Sequence, residues 1–411
     1  MKREKYTQRS RTTTVNVVQT RVESVKRSDI VRTGVRVFDG GCVGVAGALG
    51  GYDAAVLEAR AEAALSRGVS YPWDISGERV EKVAVPADVP DETEFVGEME
   101  YMLRELRKRH PELIFSNNGK LVDSLTAIEN DRGLDLEYRT RHVSIGLGFK
   151  HRDSGGIIDG FTGFSAFEYA RKEVLEDLCR PCEAFGKAVD LPGTGRMPVV
   201  FSTDDPLMLR KLRGDLNGHQ FGSGSSLLAG RMGEKLFSSG FSLTQTADHL
   251  IRPMPFFDAE GVVNDGYGFP LVEEGILRGV YTDRRTADRF SLPLTGSAGA
   301  VYDSVPSLYP ASLRIEDTGH TLKELLAGEP GVLVVFAMGG DFTPGGDFAT
   351  PVQLSYLHDG EEFIGRLPEL RISSNVFSMF GEDFTGCSTD SLSSLTEDRC
   401  VVSVMEVERL G

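Results

Sequence analysis

Apolar residues alternate with polar ones on either side of Asp39-Gly40-Gly41, with Val35 and Val37 before the pair of glycines and Val43 and Val45 after it. A period of two puts successive side chains on opposite faces of a strand, and adjacent glycines accept the positive φ of a tight turn, so the stretch predicts a β-hairpin. Upstream, Val15, Val17, Val22 and Val25 interleave with charge: residues 1–36 hold ten Lys or Arg against three acids. Such a stretch is either a polyanion-binding arm or a set of half-buried strands with a solvated outer face, and the interleaved valines favour strands. Asp53 then caps an alanine-rich helix that runs through Ser66.

Residues 68–90 are dotted with Pro72, Pro86 and Pro90, hold the only tryptophan, Trp73, and read as loop. From Asp91 to Arg109 the spacing of Phe95, Met99, Met102, Leu103 and Leu106 makes one apolar helical face, stopped by Pro111. Leu113 to Lys150 reads as antiparallel strands with tight turns at Asn117-Asn118-Gly119 and Asn130-Asp131-Arg132-Gly133. A helical stretch is expected from Phe164 to about Val189, then a linker at Pro192-Gly193-Thr194-Gly195, then a strand-rich half from Met197. The fold class is α+β: an N-terminal antiparallel-sheet and helix domain over residues 1–192, followed by a larger, mostly antiparallel β domain over 193–411.

A net charge of -16 argues against a nucleic-acid-binding surface. No apolar run approaches a membrane span, and Met1-Lys2-Arg3-Glu4-Lys5 has no hydrophobic segment behind it, which points to the cytoplasm. Five cysteines, an odd number, make no disulfide framework. Cys179-Arg180-Pro181-Cys182 has redox or zinc spacing, but it falls late in the expected helix with no second pair, so two ordinary thiols beside a proline kink are favoured.

The block where chemistry is expected runs from Phe201 to Gly240. Asp204-Asp205-Pro206 has the form of a helix start, Leu207, Met208, Leu209 and Leu212 form its apolar stripe, and Gly214 ends it. A loop rich in Gly222, Gly224, Ser225 and Ser226 follows, then a second short helical run through Leu227, Leu228 and Met232. No two of the seven histidines stand at metal-ligand spacing; His219 alone lies near the block, as a polar loop residue. Asp258 and Glu260 form either a general acid/base pair or a turn in which Gly261 supplies the permissive backbone, the turn being favoured. Thr343, Gly346 and Asp347, in a glycine- and aspartate-dense stretch, suit either a loop that approaches a bound peptide or a plain bulged hairpin.

Short glycine-anchored phrases recur in a fixed order: Arg32-Thr33-Gly34-Val35-Arg36-Val37-Phe38, Ser116-Asn117-Asn118-Gly119, the SSLLAGRMGEKLFSSG run, Phe256 to Val262, Leu271 to Gly279, Thr295-Gly296-Ser297-Ala298, Gly339 to Phe348 and Ser374-Asn375-Val376-Phe377. From about Val15 to Val407 this order resembles the TldD/PmbA family, also labelled modulator of DNA gyrase, with serine in place of the family's asparagine at Ser297 and of its glycine at Ser374. In the TldD branch the active-site helix carries HExxxH: its histidines bind zinc, its glutamate acts as general base, and a cysteine near the C-terminus completes the site. Here Leu209-Arg210-Lys211-Leu212-Arg213-Gly214 stands in that place, and Cys387 and Cys400, in the right region, lack the glycine-rich setting. The resemblance therefore implies the PmbA/TldE-like branch: no zinc held by this chain, a TldD-like catalytic partner carrying it, a heterodimer or homodimer, and a substrate cleft for small or unfolded peptides. Its candidate lining residues are His219, Asp258, Glu260, Thr343, Gly346 and Asp347. A stand-alone peptide-binding or regulatory protein and a stand-alone hydrolase of unrelated chemistry remain alternatives.

Overall fold

The first two strands, β1 (Lys2–Val18) and β2 (Arg21–Asp39), pair along their whole length, from Lys2 opposite Phe38 to Val18 opposite Arg21. Gln19 and Thr20 close them, both at positive φ, the turn geometry that matches the strands' right-handed twist. Gly40-Gly41, also at positive φ, turns the chain into β3 (Cys42–Leu49), as the valine alternation predicts. Helix α1 (Ala54–Ala64) starts where the Asp53 carboxylate accepts the Val56 N–H. The computed structural model describes residues 1–203, 206–393 and 395–410.

Four further strands, β4 (Val80–Ala84), β5 (Leu113–Asn130), β6 (Asp135–His151) and β7 (Gly160–Ala166), complete a seven-stranded sheet of order β3-β2-β1-β5-β6-β4, with β7 also on β6. Helix α2 (Glu92–Arg109) begins in a capping box between Asp91 and Glu94 and buries the five apolar residues its spacing selects. Together with α3 (Arg171–Phe185) it covers the sheet near the β1–β2 turn, where Val15 and Val17 point. Tyr6, of opposite parity on β1, faces the other way, onto Phe256 and Phe257. One long strand thus serves two cores on opposite faces of the sheet.

Several local expectations are overturned. Residues 68–90 are not all loop, because β4 adds a short parallel edge strand to β6. Asn117-Asn118-Gly119 is not a turn: β5 runs through it, and Asn117, at φ 113, pairs with both Val17 and Leu147. The stretch from Phe164 opens as strand β7 and becomes helix only at Arg171.

In the C-terminal half, β8 (Gly195–Ser202), β9 (Gly331–Ala337), β10 (Asp347–His358), β11 (Leu370–Asn375) and β12 (Arg399–Arg409) close on themselves in the order β9-β8-β12-β11-β10 and back to β9. Only the β8–β9 contact is parallel. Closure removes the open edges of the ring, and its core gathers Val199, Phe201, Val352, Leu370, Ile372 and Val401. Helix α4 (Pro206–Asp215) follows β8 and adds Leu207, Met208, Leu209 and Leu212 to the same core. Asp204 and Asp205, expected to cap it, lie outside the described residues. Helix α5 (Gly218–Gly222) comes next, and the helical run expected through Leu227 and Met232 is instead a series of turns. The structure is α+β, with an antiparallel N-terminal sheet and a β-rich C-terminal part. Among the described residues no helix is long and apolar enough to cross a membrane.

The two halves meet closely. A Cβ on Gly34 of β2 would lie 1.6 Å from the Tyr302 carbonyl oxygen, so only glycine lets this backbone approach.

Candidate functional site

The α4 sequence sorts its side chains into two groups. Leu209, at 2% exposure, is fixed in the barrel core. Arg210 points outward, donating to the Gly340 carbonyl at 3.1 Å and pairing with Asp341 at 3.0 Å. Lys211 pairs with the buried Asp215 at 2.8 Å, one turn along, and Asp215 in turn accepts the Leu227 N–H at 3.0 Å while its carbonyl accepts the Ser226 hydroxyl at 2.7 Å. The loop after the helix is thus anchored to the helix end. Positions 209, 210 and 214 present an aliphatic chain, a guanidinium and no side chain at all. None offers a lone pair to zinc, and among the described residues no group of three His, Cys, Asp or Glu side chains is placed to hold a metal. The residues here do not fit the ion.

Arg210 joins α4 to the loop of residues 338–347, which leads into β10. Thr343 N–H donates to the Asp347 carbonyl at 2.7 Å, Asp347 N–H to the Thr343 hydroxyl at 3.1 Å, and Gly346 N–H to the Thr343 carbonyl at 3.0 Å. Gly346 sits at φ 89, where an added Cβ would meet Val376 at 2.7 Å. Its carbonyl accepts the Val376 N–H, and the Asn375 amide reaches Asp347 at 3.0 Å. The bonds from Asn375 and Thr343 hold the Asp347 carboxyl below its ordinary range. The loop is a self-bonded hairpin braced from behind, and Arg210 is its link to the helix.

Asp258 and Glu260 occupy a different place. Asp258 Oδ1 accepts the Glu260 and Val262 N–H groups, both at 2.9 Å, and Oδ2 accepts the Ala298 N–H at 2.9 Å. Gly261 follows at φ 68. The geometry is a carboxylate-centred turn. Glu260 accepts the Tyr71 hydroxyl at 2.9 Å and the Arg284 N–H at 3.0 Å, capping α6 (Arg284–Phe290) from outside. Burial pushes both carboxyls above their ordinary range, and the neighbouring Asp258 charge adds to the rise at Glu260. His219, exposed on α5, lies edge-on to Phe290 at 5.6 Å, so it and Glu260 stand at opposite ends of α6. Asp258 also lines a cleft of about 660 Å³ between the halves, together with Tyr6, Gln8, Gln245, Ser297 and Tyr309.

Arg36 belongs to this junction, and reading the sequence placed it on a solvated face. Its Nη1 donates to Glu4 at 2.9 Å and to the Ala259 carbonyl at 2.6 Å, and it has no exposed surface. The available signal was parity: Arg36 shares its face of β2 with Phe38, opposite to Val35 and Val37.

A carboxyl whose folded pKa is raised costs stability above that pKa and regains it as pH falls, because the native state then binds the extra proton. Glu260→Gln abolishes this titration at the same position. The wild type is therefore expected to gain on the variant by about 1–3 kcal/mol between pH 8 and pH 5, read from urea unfolding at each pH. A difference independent of pH would contradict a raised pKa at the buried Glu260 carboxyl.

The thiols of Cys179, Cys182, Cys387 and Cys400 are buried and all pushed up by that burial, Cys387 to about 12. None has the electropositive exposure of a reactive cysteine.

The family model described as PmbA/TldA metallopeptidase C-terminal domain matches residues 194–407, and that described as PmbA/TldA metallopeptidase domain 1 matches 6–68. The chain belongs to the PmbA/TldD metallopeptidase family. A protein named metalloprotease from Methanothermobacter thermautotrophicus is 26% identical over 270 residues, covering 62% of this chain and 58% of that one. A zinc metalloprotease TldD homolog from Saccharolobus solfataricus is 28% identical over 145 residues, 33% of this chain and 32% of the relative. The chain therefore spans little more than half, and in the second case a third, of these relatives' length. The crystal structure of TldE from Thermococcus kodakarensis shares the fold, with a TM-score of 0.79 at 17% identity over 99% of this chain and 96% of that one.

Proposed function

We infer that this chain is a PmbA/TldE-like, non-catalytic subunit of a zinc-dependent peptidase that acts on small or unfolded peptides in the cytoplasm. The observation that carries this reading is α4. At the place of the TldD-branch zinc motif, Leu209 is core, Arg210 is committed to Gly340 and Asp341, and Gly214 has no side chain. A dication would meet Arg210, Lys211 and Arg213 there instead of imidazoles. The zinc and the general base come from a TldD-like partner, with which this chain pairs, and the loop of residues 338–347 braced by Arg210 borders the peptide cleft.

Elemental analysis of the purified, tag-free chain after incubation with zinc and gel filtration tests this directly. Zinc well below one per chain is expected, with no peptidase activity until a TldD-like partner is added. About one tightly held zinc per chain, or turnover by the chain alone, would sink the reading.

A further inference from the structure

Among the described residues Arg366 is a cation without an anion. Its backbone is pinned on both sides, the N–H donating to Lys187 at 2.7 Å and the carbonyl accepting from Val189 at 2.9 Å. Gly365 beside it leaves no room for a Cβ, which would lie 2.4 Å from the Lys187 carbonyl oxygen. The guanidinium lies over the Phe185 ring at 4.2 Å, which holds its plane in place. Among the described residues it has no hydrogen-bond or ion-pair partner. It lines a cavity of about 840 Å³ at the seam between the β7 end of the sheet and the barrel strands β9 and β10.

Of the acids around this cavity, Asp159 is held by hydrogen bonds, and Asp190 and Glu369 face solvent. Asp159 accepts the His151 N–H and the Ser154 hydroxyl, both at 2.7 Å, and Asp190 lies 3.8 Å from Arg409; Glu369 stays at the exposed rim. One side of the wall is apolar: Phe161 and Phe336 pack ring to ring at 5.6 Å, and Ile158 and Leu354 complete it. Ile158 and Phe161 keep 44% and 39% of their surface exposed, and the neighbouring Ile157 is 97% exposed. A pre-set guanidinium with free donors beside an aromatic wall, in a cavity of ligand size, matches a carboxylate that carries a hydrophobic side chain.

We propose that this cavity binds such a carboxylate, the C-terminal end of a peptide or a free aryl or alkyl acid, with Arg366 taking the two oxygens and the Phe161 and Phe336 wall taking the side chain. The site stands apart from α4 and does not depend on the subunit reading, so zinc analysis and ligand titration fail separately.

Calorimetric titration of the full chain with Ala-Ala-Ala-Phe, its C-terminal amide and 3-phenylpropionate tests the proposal. The acid is expected to bind about tenfold or more tighter than the amide. Arg366→Gln should erase that preference, and Arg366→Lys should keep part of it. A peptide acid that outbinds phenylpropionate marks a peptide end as the ligand, and equal binding marks a free acid. Equal binding of acid and amide by the wild type, or no binding of any probe at millimolar concentration, overturns the proposal whether or not the variants fold.

Discussion

Replacing Arg36 by methionine is expected to destabilise the folded chain by about 3–5 kcal/mol, the cost of leaving one member of a buried ion pair alone. Arg36 has no exposed surface, and its Glu4 partner is only 3% exposed. Methionine fills much of the same volume, so the loss is of charge and hydrogen bonds more than of packing. What remains is a buried carboxylate with the Asn130 amide, at 3.2 Å, as its side-chain donor, and an Ala259 carbonyl without its guanidinium donor. Because Arg36 also ties β2 to the Ala259 turn, the loss should fall on the contact between the halves before it reaches the barrel.

The double variant Glu4→Gln/Arg36→Met separates the two causes. If a stranded charge is the main penalty, the double variant is more stable than Arg36→Met alone, since no ion is left unpaired. Equal stability would instead make the Ala259 bond or packing responsible. Trp73 makes the measurement direct. The sole tryptophan lies edge-on to Tyr71 at 5.1 Å, and Tyr71 donates to Glu260 in the same junction. Its fluorescence in a urea titration should report the junction opening, while far-ultraviolet circular dichroism reports the sheets as a whole.

What the sequence disclosed is what local chemistry decides. The Gly40-Gly41 turn, the Asp53 cap and the apolar face of α2 all depend on neighbours within a few residues, and each is found where it was expected. The misses share one cause. Asn117-Asn118-Gly119 has turn composition, but it is held extended because β1 and β6 pair with it from both sides. Val80–Ala84 lies among prolines, and only its parallel pairing with β6 makes it a strand. Residues 227–232 carry apolar side chains at helical spacing, yet the Asp215 and Ser226 anchors hold them as turns. Arg36 was the least legible, because its burial depends on a carbonyl 223 positions away in the chain. In each case a distant partner outweighs local propensity, and no short-range pattern encodes that partner.

Placing the first histidine of the zinc motif at position 209 should show how firmly α4 is committed to the core. Leu209→His is expected to cost about 3–5 kcal/mol, from lost leucine burial together with the desolvation of an imidazole among aliphatic groups. Gly214→His should cost far less, about 1 kcal/mol or below, because a Cβ there meets only the Gln220 side-chain oxygen, at 3.9 Å. Arg210→Glu would set a carboxylate against Asp341, now its ion-pair partner at 3.0 Å, and so loosen the loop of residues 338–347. The triple variant, which spells the full motif, is therefore expected to be markedly unstable and to take up no stoichiometric zinc, as thermal melts with and without added zinc would show. The contrast between positions 209 and 214 is the sharper part of the test, since both lie on one helix and differ mainly in burial. A Leu209→His variant as stable as the wild type, together with a zinc-dependent rise in the melting temperature of the triple variant, would mean that α4 keeps the geometry of a metal site. α4 would then be a helix that lacks the ligands of a metal site but keeps their places, and the wild-type chain would still hold no zinc through it.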